Sequence, residues 1–183
     1  MPFSVLSIPG KSLGSIHGIA AGTDGSCSTV PVYDGAGTEE FLKKFEQERA
    51  HSLIGFCVMG GVFSEGIDLT EDKLIGAMII GTGLPQVCLE RELLKYYFDR
   101  KNLNGFDYAY LYPGMNKVLQ SAGRVIRTDQ DRGVITLLDD RFMDRQCQEV
   151  FPREWNDFQI CNSENIEEKI AKFWKEEEQT DMK

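Results

Sequence analysis

The sequence predicts an α/β domain in which a mostly parallel sheet is covered by helices on both faces. Three observations predict it. Residues 53–59, 74–80 and 134–138 are continuous apolar runs of strand length, the pattern of strands buried on both faces. Helical composition fills the intervals, at residues 90–100 and around Val118, Leu119 and Ala122. The first two runs close on glycine-rich turns, Gly60-Gly61 and Gly81-Thr82-Gly83, at strand ends of the kind where open α/β sheets collect ligands.

Taken in order, residues 1–37 are rich in Gly, Ser and Thr without sustained periodicity, and read as an irregular or divergent N-terminal extension. Thr38 is placed to cap a helix whose Phe41, Leu42 and Phe45 form an apolar stripe, with Glu39 and Glu40 near its positive end. The helix at 90–100 is expected to turn Leu93, Leu94 and Tyr97 inward. Residues 108–112 read as a short strand or as the lead-in to the next helix, and Pro113-Gly114 as a break before it. After the third strand, Asp139-Asp140-Arg141 ends the run. The main domain is therefore assigned to residues 38–162. The acidic tail, 163–183, reads as an amphipathic helix through Ile166, Ile170 and Phe173.

Composition narrows the function. A net charge of −9 argues against a broad basic groove, so any nucleic-acid contact is expected to be a narrow patch. No apolar run reaches the roughly 18–20 residues of a membrane span, and the N-terminus lacks the pattern of a secretory signal. The expected location is cytoplasmic. Cys27, Cys57, Cys88, Cys147 and Cys161 are odd in number, scattered and without a CxxC pair, which predicts reduced thiols and no structural zinc or iron–sulfur site. His17 and His51 stand alone, and neither is assigned a metal or catalytic role.

Two segments carry the chemistry. In Gln120-Ser121-Ala122-Gly123-Arg124-Val125-Ile126-Arg127 the two arginines, three apart, fall on one face of a helix, with Gln120 a further turn back. Two permanent cations and an amide, with Gly123 leaving room beside them, suit a polyphosphate whose charge grows during transfer. Residues 60–69 follow the first strand directly. Their glycines permit close backbone approach to a ligand, Asp68 can accept from ribose hydroxyls, and Ser64 and Glu65 are polar groups on the same rim. The bland alternatives are surface arginines near a helix end and a tight capped turn.

Residues 60–69 resemble the fifth conserved motif of superfamily-2 helicases in the DinG/XPD branch, and residues 120–127 resemble that branch's sixth motif, QxxGRxxR. Gly83-Leu84-Pro85, Glu90-Arg91-Glu92, residues 106–110, Arg132-Gly133 and Asp139-Asp140-Arg141-Phe142 are similar to the same branch. The likeness covers roughly residues 39–155. It implies a three-layer RecA-like fold of the P-loop NTPase type and the C-terminal motor half of an ATP-dependent DNA helicase. It further implies that Gly66, Asp68 and Gly123 meet the nucleotide, Asp68 near the ribose. Ser64 and Glu65 would couple the nucleotide cleft to single-stranded DNA, and Gln120 would position water or the γ-phosphate. Arg124 and Arg127 would serve as phosphate clamp and arginine finger, with Arg127 the choice for the finger.

The departures bear equally on function. The resemblance reaches only the second of the family's two RecA-like halves, so ATP and Mg²⁺ would bind with an N-terminal helicase half acting in cis or in trans, and the isolated chain is expected to be inactive. Gly10-Lys11-Ser12 looks like part of a P-loop, but Val5 stands where the pattern needs glycine. A P-loop kinase using Lys11 is thus a third reading. The rival to the helicase half is a non-enzymatic binding module that kept the fold and lost the motor.

Overall fold

The structure is a computed structural model of the 183-residue chain and describes residues 3–8, 27–30, 43, 45, 52–60, 74–126 and 131–181. Its strands are β1 (Phe3–Ile8), β2 (Cys27–Val30), β3 (Ser52–Gly55), β4 (Gly76–Ile80), β5 (Gly133–Leu138) and β6 (Gln159–Ile160). Its helices are α1 (Leu89–Asp99), α2 (Tyr112–Ala122), the short α3 (Arg145–Gln148) and α4 (Ile166–Asp181). A π-helical turn (Asp107–Leu111) leads into α2, and 3-10 turns lie at Asp140–Met143 and Arg153–Trp155.

All described strand pairs are parallel. One sheet has the order β4-β5-β1-β6, and β2 pairs with β3 in a second. Five of the six residues of β5 are buried, as its unbroken apolar run requires. Successive side chains of β5 leave opposite faces and join different cores. On one face Ile135 and Leu137 pack with Ile79, Met115, Val118, Ala122, Val125 and Phe142. On the other, Val134 packs with Cys161, Ile166 and Phe173, and Ile170 and Trp174 of α4 close over them. The three-layer RecA-like class is the observed one, with α2 and α4 covering opposite faces.

Several elements differ from expectation. β1 runs through the middle of the sheet, in register with β5 from Phe3 opposite Gly133 to Ile8 opposite Leu138, and Cys27–Val30 is also a strand. The irregular reading of residues 1–37 therefore fails for those two segments. Ser4 and Ser7 interrupt the apolar pattern of β1, and its partner lies far along the chain, so no local signal marks it. β3 is shorter than the apolar run that predicted it: Phe56 to Val58 lie beyond it and are exposed. Leu93, Leu94 and Tyr97 face outward on α1, a helix with no buried residue. Lys43 and Phe45 are helical, in line with the stripe read after Thr38; the remainder of that stretch, Gly10-Lys11-Ser12, His17 and His51 lie outside the described residues. Cys57, Cys88, Cys147 and Cys161 are free thiols. Among the described residues no helix is long and apolar enough to cross a membrane.

Pro113 does not break the chain. It occupies the first turn of α2, where a missing N–H costs least. The Ala109 carbonyl, in the π-helical turn just before it, faces α1. Arg91 of α1 meets it, donating through Nη1 at 2.6 Å. The Tyr110 hydroxyl donates to Glu92, and Phe98 stacks on Tyr108 with ring centroids 4.1 Å apart. These three contacts fasten α1 to the π-helical turn.

Candidate functional site

The site is built from the carboxyl end of β4 and from α2. Past Ile80 the chain runs through Gly81 (φ +85°) and Gly83 (φ +64°), left-handed conformations that glycine adopts without strain. Gly81 N–H still donates to the Leu138 carbonyl at 3.2 Å, so pairing with β5 extends one residue beyond the strand. Thr82 is buried between these glycines, and among the described residues its Oγ1 has no hydrogen-bond partner. Gly114 of α2 packs directly on this turn: a Cβ there would lie 2.7 Å from the Thr82 carbonyl oxygen. That close approach sets the height of α2 on the sheet.

The buried face of α2 carries Gly114, Met115, Val118 and Ala122. Its other side presents Lys117, half-buried, and Gln120, exposed. Gly60 (φ +82°), the first residue of the motif following β3, lies against this side; a Cβ at Gly60 would stand 3.2 Å from Cδ and Cε of Lys117. Gln120 follows Lys117 by three residues and therefore shares its face, one turn on. The structure thus brings the start of the first motif beside the helix of the second.

The arginine segment itself is not helical throughout. α2 ends at Ala122, and Gly123 caps it in right-handed geometry, its N–H donating to Leu119 at 2.8 Å. Arg124 sits in the turn that follows, its N–H 3.3 Å from the Ser121 carbonyl. The reason is the next residue. Val125 is buried, and a Cβ on Gly133 would come 2.4 Å from its Cγ1. Drawing Val125 onto the start of β5 bends the chain away from the helix axis. Arg124 is half-buried, with Gln120 exposed nearby in sequence on the last helical turn. A guanidinium and an amide are both groups able to donate to anionic oxygens. Arg127, Ser64, Glu65, Gly66 and Asp68 lie outside the described residues.

Sequence reasoning missed Lys117. Extending the helical spacing back from Arg124 and Gln120 by one more step would have found it, because the three stand at i, i+3 and i+7. At the carboxyl end of β5, Asp139 accepts from Arg141 three times: from its backbone N–H at 2.9 Å, Nε at 2.8 Å and Nη2 at 2.7 Å. These bonds hold the Asp139 carboxyl below its ordinary range. The pair adjoins Gly81, where a Cβ would lie 3.9 Å from Asp139 Oδ2. With its charge met by Arg141, Asp139 is an ordering group for the strand ends and a poor general base.

Comparison with known proteins bears on the family and the fold. A family model described as the helicase C-terminal domain matches residues 23–158. A regulator of telomere elongation helicase 1 homolog from Caenorhabditis briggsae is 33% identical over 137 residues, covering 69% of this chain and 14% of that protein. A probable ATP-dependent helicase from Methanocaldococcus jannaschii is 28% identical over 120 residues, covering 61% of this chain and 18% of that protein. A solved XPD helicase superposes with a TM-score of 0.57 at 18% identity, covering 87% of this chain and 28% of that one. The chain therefore spans less than a fifth of the length of these two curated relatives.

Proposed function

The chain belongs to the helicase C-terminal domain family, on the DinG/XPD-like side of it, and from that premise we propose that it is the C-terminal motor half of an ATP-dependent DNA helicase. The observation that carries the reading is the contact of Gly60 with Lys117, on the face of α2 that also bears Gln120. It supports a single cleft wall made from both motifs.

In this reading ATP, with Mg²⁺ held by a separate N-terminal half, supplies the phosphoanhydride whose hydrolysis drives movement. By resemblance to two-domain helicases, the P-loop and the Mg²⁺-binding acidic motif belong to that other half. The role of this chain is positioning and charge. Gly66, Asp68 and Gly123 line the nucleotide, Gln120 orients water or the terminal phosphate, and Arg124 and Arg127 neutralise charge that builds on the transferred group. Ser64 and Glu65 relay the state of the cleft to single-stranded DNA. Domain closure and opening then convert hydrolysis into translocation.

Two measurements test this. The isolated chain is expected to hydrolyse no ATP, since its cations have no phosphate cradle to act on; helicase-like turnover by the chain alone would refute the half-motor reading. In a protein that also contains the P-loop half, Arg127→Ala should reduce kcat by about a thousandfold or more while ATP binding persists. An unchanged kcat removes Arg127 from the finger role. Tight binding of a protein partner by a chain that pairs with no P-loop half would favour the binding module instead.

A further inference from the structure

The face that α1 turns to solvent is its apolar one. Leu89, Leu93, Tyr96 and Tyr97, at i, i+4, i+7 and i+8, form one stripe and are 71%, 59%, 60% and 51% exposed. The opposite face, directed at the domain, carries Arg91, Lys95 and Phe98, all half-buried. Arg91 is committed there by its bond to the Ala109 carbonyl and Phe98 by its stack on Tyr108, so the helix cannot roll to hide its stripe. A contiguous apolar surface held outward in this way marks an interaction site.

The charges on the stripe identify what fits it. Glu90 borders its first turn. Arg100 and Lys101 border its end, held over the stripe by the Tyr96 ring (5.8 Å from the Arg100 guanidinium carbon to the centroid) and the Tyr97 ring (4.5 Å from Lys101 Nζ). With Glu90 in the first turn of α1 and Arg100 and Lys101 just past its last, the stripe has oppositely charged borders and is complementary to itself run backwards. Laid antiparallel about a dyad level with Lys95, it sets Glu90 against Arg100, Leu93 against Tyr97 and Leu89 against the Lys101 stem, twice over by symmetry. Tyr and Arg are also the residue types most enriched at the centres of interfaces.

We infer that the outer face of α1 is an isologous docking surface for a second copy of this chain, the two helices pairing antiparallel through Leu89, Leu93, Tyr96 and Tyr97 with Glu90–Arg100 contacts at both ends. A helix of eleven residues is about 16 Å long, so the pair covers less than the roughly 800 Å² per partner of a standard stable interface. Association is accordingly weak and concentration-dependent. This inference does not depend on the motor reading, whose tests measure ATP turnover.

Sedimentation equilibrium of the full chain, from low micromolar to near-millimolar concentration, tests it. The mass should rise from 20.7 kDa toward twice that value. Leu93→Asp should hold it at the monomer, with an unchanged thermal unfolding midpoint showing that the fold is intact. Arg100→Glu alone and Glu90→Arg alone should each weaken association by about tenfold, and Glu90→Arg with Arg100→Glu should restore it. A monomer at every concentration, as expected if a different protein covers this face, would overturn the inference. So would a dimer indifferent to Leu93→Asp, or one that the double reversal does not rescue.

Discussion

α1 and α2 are adjacent helices of eleven residues each, both with an apolar stripe at helical spacing, yet α2 buries Gly114, Met115, Val118 and Ala122 and α1 buries nothing. Periodicity gives each helix two unlike faces but does not say which one meets the sheet. α2 is oriented by a glycine that lets its backbone touch the turn after β4. α1 is oriented by polar bonds: Arg91 to the Ala109 carbonyl, and Glu92 to the Tyr110 hydroxyl. For α1, satisfying those groups outranked burial of leucines.

The contrast can be broken at either helix. The largest loss is expected from Met115→Ala, which opens a cavity in the main core and should cost roughly 2–5 kcal/mol in denaturant unfolding; a loss below 1 kcal/mol would mean that α2 is not the packed helix described. Gly114→Ala comes next. Its Cβ meets backbone on the Thr82-Gly83 turn rather than a movable side chain, for about 1–3 kcal/mol. Arg91→Met should cost about 1–3 kcal/mol by stranding the Ala109 carbonyl. Denaturant unfolding measures this, and a loss below about 0.5 kcal/mol would show that the bond does not fasten the helix.

A smaller effect should appear in alkali. The Glu92 carboxylate, accepting the Tyr110 proton, pushes that phenol up to about 12. A raised pKa means that the fold favours the protonated hydroxyl. Its contribution is therefore complete below about pH 10, the ordinary value, and is lost as pH climbs through about 12. Stability measured across that window should fall, and Tyr110→Phe should abolish the fall arising from this group. Smallest of all is Leu93→Asp, expected to change monomer stability by no more than about 0.5 kcal/mol because the side chain is exposed. A large loss there would place Leu93 in a core.

β4, β5, α1, α2 and α4 could be found from sequence because each has local composition and spacing suited to its structure, and β5 in particular is buried on both faces. β1 could not, since its place is fixed by pairing with a strand well over a hundred residues away. The likeness to helicase motifs was equally legible, through glycines and arginines at fixed intervals. Where α2 stops was not: Val125, seated beside Gly133, ends the helix ahead of Arg124.

By itself, then, the sequence determined the α/β class, the helical periods and the family. Those are properties of neighbours within a turn or a strand, where sterics and side-chain chemistry act directly. Tertiary structure alone decided that β1 lies at the middle of the sheet, that Gly60 meets Lys117 beside Gln120 and that α1 turns its leucines outward. Each of these depends on contacts between residues remote in the chain, whose strength no local pattern encodes.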